Sequence, residues 1–168
     1  TTEIYTLSLH DALPIYIHGL LEEILEVVSP KLAHRRIGLV KDFQGSISPV
    51  RIDRDKIKQV IWNILLNAMD GMHAGGVVRV ATAEKQADRT VEVVIEDERP
   101  GIPDGIRDRI FDPFFTTKPE GLGLGLFTSR EIIERHGGRL TLENMAQPGA
   151  RVVLSLPIPC TAISCDFP

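Results

Sequence analysis

Cysteine is scarce in this chain. Its two copies, Cys160 and Cys165, both lie in the C-terminal tail. A bridge between them would staple only that tail, and no second pair exists to complete a zinc site, so reduced thiols in a cytosolic protein are expected. Positive charge is not in excess either: the formal net charge is -4, the sequence pI is about 5.7 and no basic run occurs, which removes the electrostatic footprint of a nucleic-acid binder. Apolar runs long enough to span a bilayer are missing, as is the basic, apolar and small-residue order of a signal peptide. The fragment is therefore expected to be soluble and to make no direct membrane contact. Aromatic residues reach only 5%, but 43% of residues are hydrophobic and 25% charged, a balance that suits one globular domain with a core.

Apolar spacing sets out the elements. Ile17 to Ala33 carries Ile17, Leu20, Leu21, Ile24, Leu25 and Val28 on one stripe, an amphipathic helix expected to be disturbed near Pro30. "RIGLVKDF" and "SPVRID" read as short strands, after which Asp53 is a good N-cap for a second helix from Arg54 to about Met72. "GVVRVATAEK" and "TVEVVIED" form an antiparallel pair, and "RLTLEN" with "ARVVLSLPI" another around Gln147-Pro148-Gly149. Between the pairs runs a long loop with Pro100, Pro103, Pro113 and Pro119, relieved only by a short helical chance at "DGIRDRIF". A loop of that length in a compact domain is usually a lid or a binding loop. The order predicts an α+β two-layer sandwich, with a layer of three main helices on one face of a mixed, largely antiparallel sheet.

Two stretches carry chemistry. "GLGLGL" places Gly121, Gly123 and Gly125 directly before a helix, Leu126 to His136, that Gly137-Gly138 stops. Such a junction either needs tight turns or cradles an anion, because free N–H groups and the positive end of the helix dipole converge there. On the second helix, Ile57, Val60, Ile61, Ile64, Leu65 and Ala68 make the buried stripe, while Gln59, Asn63, Asn67 and Asp70 form a polar seam beside it. That seam is either a partly exposed surface or a set of oxygens for Mg²⁺, a hard cation that also takes phosphates and waters.

"NILLNA" on a helix, Asp97 at a strand end before Pro100-Gly101, "FDPFFTTKPEGLGLGL" and "HGG" occur in one order. This resembles the ATP-binding catalytic domain of two-component sensor histidine kinases, within the wider family of gyrase, MutL and heat-shock-chaperone ATPases. The likeness covers about residues 16–159, read as one domain between a leader, 1–15, and a tail, 160–168. It implies the Bergerat ATP-binding fold, with ATP and Mg²⁺ as cofactors. Asn67 and Asn63 would hold the metal, and Asn63 and Lys118 would act in catalysis, Lys118 as a point charge at the terminal phosphate. Asp97 would accept from the adenine amino group, and Gly101 would let the base approach the backbone. Ile102, Phe114, Thr117, Leu122 and Leu124 would complete the nucleotide pocket, and Gly121, Gly123 and Gly125 would leave room for phosphates and hinge the lid. The phosphoryl acceptor would be a histidine on a separate dimerisation domain, which then serves a response regulator; the parent protein could be membrane-anchored while this domain is cytoplasmic.

Three departures qualify the likeness. "DERPG" puts Arg99 where the family writes glycine; at positive φ it would cost on the order of 1–2 kcal/mol and loosen the adenine end. Leu122 replaces a small hydroxylated residue, so one phosphate contact is expected to be missing. The leader fits nothing: Pro14 follows His10 one residue early for a phospho-acceptor motif, His10 lies only 57 positions before Asn67, and "YTLSLHDALPI" resembles a translated sequencing-adapter string. It is read as non-native or disordered, and His10 is rejected as a site. His18, His34 and His73 have no motif around them, and His136 is read as complementing a helix dipole. Three readings stay open. The preferred one is the kinase domain. The second is a self-contained ATPase, disfavoured because Asn63 stands where that family places a basic Glu, and an amide cannot be a general base. The third is a non-catalytic nucleotide-sensing module, which Arg99 suggests.

Overall fold

Alternation in the strands and a 3.6-residue period in the helices meet on one interface. In β5 (Thr90–Asp97), Val91, Val93, Ile95 and Asp97 face inward; in β7 (Ala150–Pro157), Ala150, Val152, Leu154 and Leu156 do. The computed structural model describes residues 13–72, 75–119 and 121–159. Within them, β2 (Gly38–Phe43), β4 (Val77–Lys85), β5, β7 and β6 (Arg139–Asn144) form a five-stranded sheet in the order β2-β4-β5-β7-β6. Only β2–β4 is parallel, because its connection crosses over through α2 (Arg54–Gly71); β4–β5, β5–β7 and β6–β7 are antiparallel. The register sets Asp97 between Val78 and Ala150, at the C-terminal end of the central strand where the long loop begins.

The helical layer is α1 (Ile17–His34), α2 and α3 (Gly125–Arg135). The predicted α1 stripe is buried at 5% exposure or less, with Leu32 added. Pro30 does not end this helix, which runs on to His34; Ser29 one residue earlier donates its hydroxyl back to the Leu25 carbonyl at 2.6 Å. The α2 stripe is buried likewise, each side chain contributing roughly 1.5–3 kcal/mol. Asp53 caps α2 as its sequence position predicts: Oδ1 accepts from the Asp55 and Lys56 amides at 3.0 and 3.1 Å, about 1 kcal/mol.

Several elements are shorter than the pattern predicts. "SPVRID" yields only β3 (Val50–Arg51), whose partner is β1 (Pro14–Ile15). Thus the last two residues of the predicted leader, Pro14 and Ile15, are in the fold, with Ile15 packed on the core. "DGIRDRIF" gives a 3₁₀ turn, Asp104–Arg109. His10, His73, Cys160 and Cys165 lie outside the described residues. His34 is exposed at the end of α1, and His18 stacks on Phe43 with 5.1 Å between ring centroids and sits 2.8 Å from the Thr82 hydroxyl. His136 corrects its reading. Its Nε2 accepts from the Asp53 amide at 3.0 Å, leaving the proton on Nδ1, 2.6 Å from the Ile132 carbonyl. It caps α3 by hydrogen bonding rather than by charge. Among the described residues no helix is long and apolar enough to cross a membrane.

Candidate functional site

The C-terminal half of α2, the loop after β5, the proline-rich segment and the N-terminus of α3 enclose a cleft of about 620 Å³. That is within the range of small-molecule sites. Asn67, Gly101, Ile102, Thr117, Lys118, Gly121, Leu122, Gly123, Leu124 and Gly125 all line it, so most of the residues picked from the sequence converge. Asn63, Asp97 and Phe114 are not in its wall.

One end is apolar. Ile102, Ile110 and Ala150 form a small cluster of their own, onto which Ile106, Phe115, Leu126 and Leu142 pack. Asn144, which no sequence motif marks, clamps the loop there: Oδ1 accepts from the Ile102 amide at 2.7 Å and Nδ2 donates to its carbonyl at 2.8 Å. Gly101 has φ +100°, which favours glycine, and a Cβ would crowd the Asn144 Oδ1 at 3.2 Å.

Arg99 overturns the strain argument. Among the described residues the non-glycines at positive φ are Arg36, Arg89 and Phe114, not Arg99. Instead Arg99 turns onto Asp97: Nε donates to Oδ1 at 2.6 Å, Nη2 to Oδ2 at 2.5 Å, and the Arg99 amide to Oδ1 at 3.1 Å. The Asp97 side chain is 1% exposed and that of Arg99 16%. The guanidinium lies over Gly71, where a Cβ would come within 3.1 Å of Cδ, Nε and Cζ.

The other end is polar. Lys118 Nζ donates to Asn67 Oδ1 and to Asp70 Oδ2, both at 2.9 Å, and Arg35 Nη1 donates to Asp70 Oδ1 at 3.0 Å. Burial pushes the Asp70 carboxyl up, but the hydrogen bonds and charges of Lys118 and Arg35 outweigh it and hold the group below its ordinary range. These hard oxygens already gather on a cation, the donor chemistry that suits Mg²⁺ with phosphates and waters supplying the rest. Asn63 is one turn back, its Nδ2 3.5 Å from the buried Ser129 hydroxyl, and Gln59 is exposed beyond it. Ser129 donates to the Gly125 carbonyl at 2.7 Å. The first turn of α3 has neither a side-chain cap nor an acidic residue, so its amides are available to an anion.

All three glycines line the cleft, and at two of them the lid's own chain also needs the space a Cβ would take. A Cβ on Gly123, which has φ +69°, would lie 2.4 Å from the Phe114 carbonyl carbon and 2.6 Å from the Phe115 oxygen; on Gly121 it would lie 2.6 Å from the Thr116 hydroxyl. Those two make room for the lid's own chain. Only Gly125 faces open space. Phe114, at φ +65°, is 75% exposed, and its neighbour Phe115 takes the cleft-facing role under the Arg109 guanidinium at 4.7 Å. Leu122 is 79% exposed at the rim.

Comparison with known proteins agrees with this geometry. The chain is 37% identical over 144 residues to the signal transduction histidine-protein kinase AtoS of Escherichia coli strain K12, covering 86% of this chain and 24% of that one. The chain thus spans about a quarter of that relative's length. The solved catalytic domain of histidine kinase ThkA superposes with a TM-score of 0.80 at 29% identity, covering 87% of this chain and 95% of that one. ThkA in complex with the response regulator TrrA matches with a TM-score of 0.75 at 27% identity, over 88% of this chain and 42% of that one. Residues 52–159, from just before the α2 cap to just past β7, match one family model, and the chain belongs to that family, the histidine kinase-, DNA gyrase B- and HSP90-like ATPases.

Proposed function

We propose that residues 16–159 are the catalytic domain of a sensor histidine kinase, binding Mg·ATP in the cleft and delivering its γ-phosphoryl group to a histidine on a dimerisation domain outside this chain. The observation that carries this is the convergence of Asn67, Lys118, the loop after Asp97 and the uncapped α3 N-terminus on one cleft. In this reading the base lies on the Ile102 cluster, with Gly101 admitting it to the backbone. The phosphates meet the α3 amides at Leu124 and Gly125, with Thr117, Gly121, Leu122 and Gly123 around them, and Phe114 acts from the lid. Lys118 would meet the terminal phosphate, and Asn67 and Asp70, with Asn63 behind them, would hold Mg²⁺, which would supply charge neutralisation. The protein's own contribution is positioning and electrostatics, on which catalysis of phosphoryl transfer almost entirely rests. The relation to AtoS and to ThkA, which is solved with a response regulator, supports a cytoplasmic signalling role with a response regulator as downstream partner.

Asn63 separates this reading from a self-contained ATPase, since its amide cannot activate water. The Arg99–Asp97 pair favours one alternative, a nucleotide-sensing module without transfer. Calorimetry and phosphate release on the 168-residue chain decide among them: Mg²⁺-dependent ATP binding with almost no phosphate release is expected. Steady hydrolysis would establish the ATPase instead, and absence of ATP binding would remove the kinase reading.

A further inference from the structure

The wall at the base end of the cleft is built from a donor where the acceptor should be. Both oxygens of Asp97 already accept from Arg99, Oδ1 twice and Oδ2 once, and Arg99, not Asp97, lines the cleft. A guanidinium has five N–H groups and no acceptor. Nε and one hydrogen of Nη2 are turned to Asp97, and no other hydrogen bond of this fork is found among the described residues, in a residue that lines the cleft.

Moving Arg99 aside is costly. The pair is two residues apart, is bidentate, and is reinforced by the Arg99 backbone amide, so little chain freedom is gained by opening it. Its departure would leave a carboxylate of 1% exposure to be satisfied by one neutral amino group. Gly71 is the seat that holds the guanidinium in place, since any side chain there would meet it.

Resting on the reading above, that a purine triphosphate lies in the cleft with its base toward Asp97, we infer that Arg99 is a specificity-determining residue which reverses the hydrogen-bond polarity of the purine end. At position 6 an amino purine turns N–H donors toward the guanidinium's own donors, leaving only its ring nitrogens as acceptors. A 6-oxo purine presents an acceptor, to which the free guanidinium N–H groups donate. Guanine and hypoxanthine nucleotides are therefore bound at least as tightly as ATP. Sites built around a polar group discriminate strongly against a ligand of the wrong polarity, so the effect is measurable.

The test is calorimetric titration of the chain and of Arg99→Gly with Mg·ATP and Mg·ITP; these nucleotides differ only at purine position 6 and the N1 proton. The unaltered chain is expected to bind ITP as tightly as ATP or more so, and Arg99→Gly to shift the affinity ratio at least tenfold toward ATP. Arg99→Met, which keeps the stem without donors, should move the ratio the same way and serves where the glycine variant does not fold. Binding of both nucleotides with a ratio unmoved by either substitution would overturn this inference while leaving the cleft a nucleotide site. No binding of either nucleotide by any of the proteins would overturn both.

Discussion

The two ends of the cleft each hold one of the protein's own cations on oxygens, among them those of Asp97 and Asn67, which the family resemblance assigns to ATP and its metal. At the base end Arg99 sits on Asp97, two residues away, with side-chain exposures of 16% and 1%. At the phosphate end Lys118 sits on Asn67 and Asp70, 51 and 48 residues away, with Lys118 and Asp70 exposed at 42% and 37%. The first is a local, desolvated, two-point contact; the second joins the lid to α2 through a single nitrogen in partly solvated surroundings. Desolvation makes a broken pair expensive, whereas an exposed pair contributes little and exchanges readily. The lysine is thus placed to yield to incoming phosphate and metal, and the arginine is placed to stay.

Breaking the buried pair should have the largest effect. Asp97→Ala leaves the Arg99 charge without its carboxylate and is expected to lower stability by about 3 kcal/mol in urea denaturation. A loss below about 1 kcal/mol would show that the two ends behave alike. Next, Lys118→Ala should weaken Mg·ATP binding about tenfold, about 1.4 kcal/mol, because the lysine's gain at the phosphate exceeds what it gives up at α2. Unchanged affinity would mean that Lys118 stays on Asn67 and Asp70 with nucleotide present. The smallest effect belongs to Asp70→Ala, less than about 1 kcal/mol near neutrality. Its sign with pH follows from the lowered carboxyl: the contribution is full above the ordinary value of 3.8 and is lost as pH falls below that toward the folded-state value. Denaturation midpoints of the two proteins should therefore merge in acid. A gap that persists there would assign the effect to packing rather than to charge.

The frame was legible because its patterns are periodic. Alternating β-branched residues placed β4, β5 and β7, and the α1 and α2 stripes placed the helices to within a residue or two. Asp53 was legible because a cap depends on its immediate neighbours. The site was legible as a set of residue types but less so as contacts. Arg99 was misread as strain because the family glycine invited a backbone argument, although an arginine two residues beyond a buried carboxylate also announces an ion pair. Gly121 and Gly123 were legible as part of the cleft, but nothing local says that the lid's chain also passes over them. Asn144 gave no signal, since it acts across 42 residues on one backbone unit. β3 shrank because its only strand partner among the described residues is the two-residue β1.

The hydrogen bond from the Asp53 amide to His136 ties the start of α2 to the end of α3, at the opposite ends of these helices from the cleft. Mechanically that makes a pair of tongs, with a pin at His136 and jaws at Asn67 and Gly125. α3 is 11 residues long, a lever arm of roughly 16 Å at 1.5 Å per residue. The spacing of Asn67 and Gly125 across the cleft therefore rests on a joint about one helix length away, and on the Asn63–Ser129 contact between the two arms.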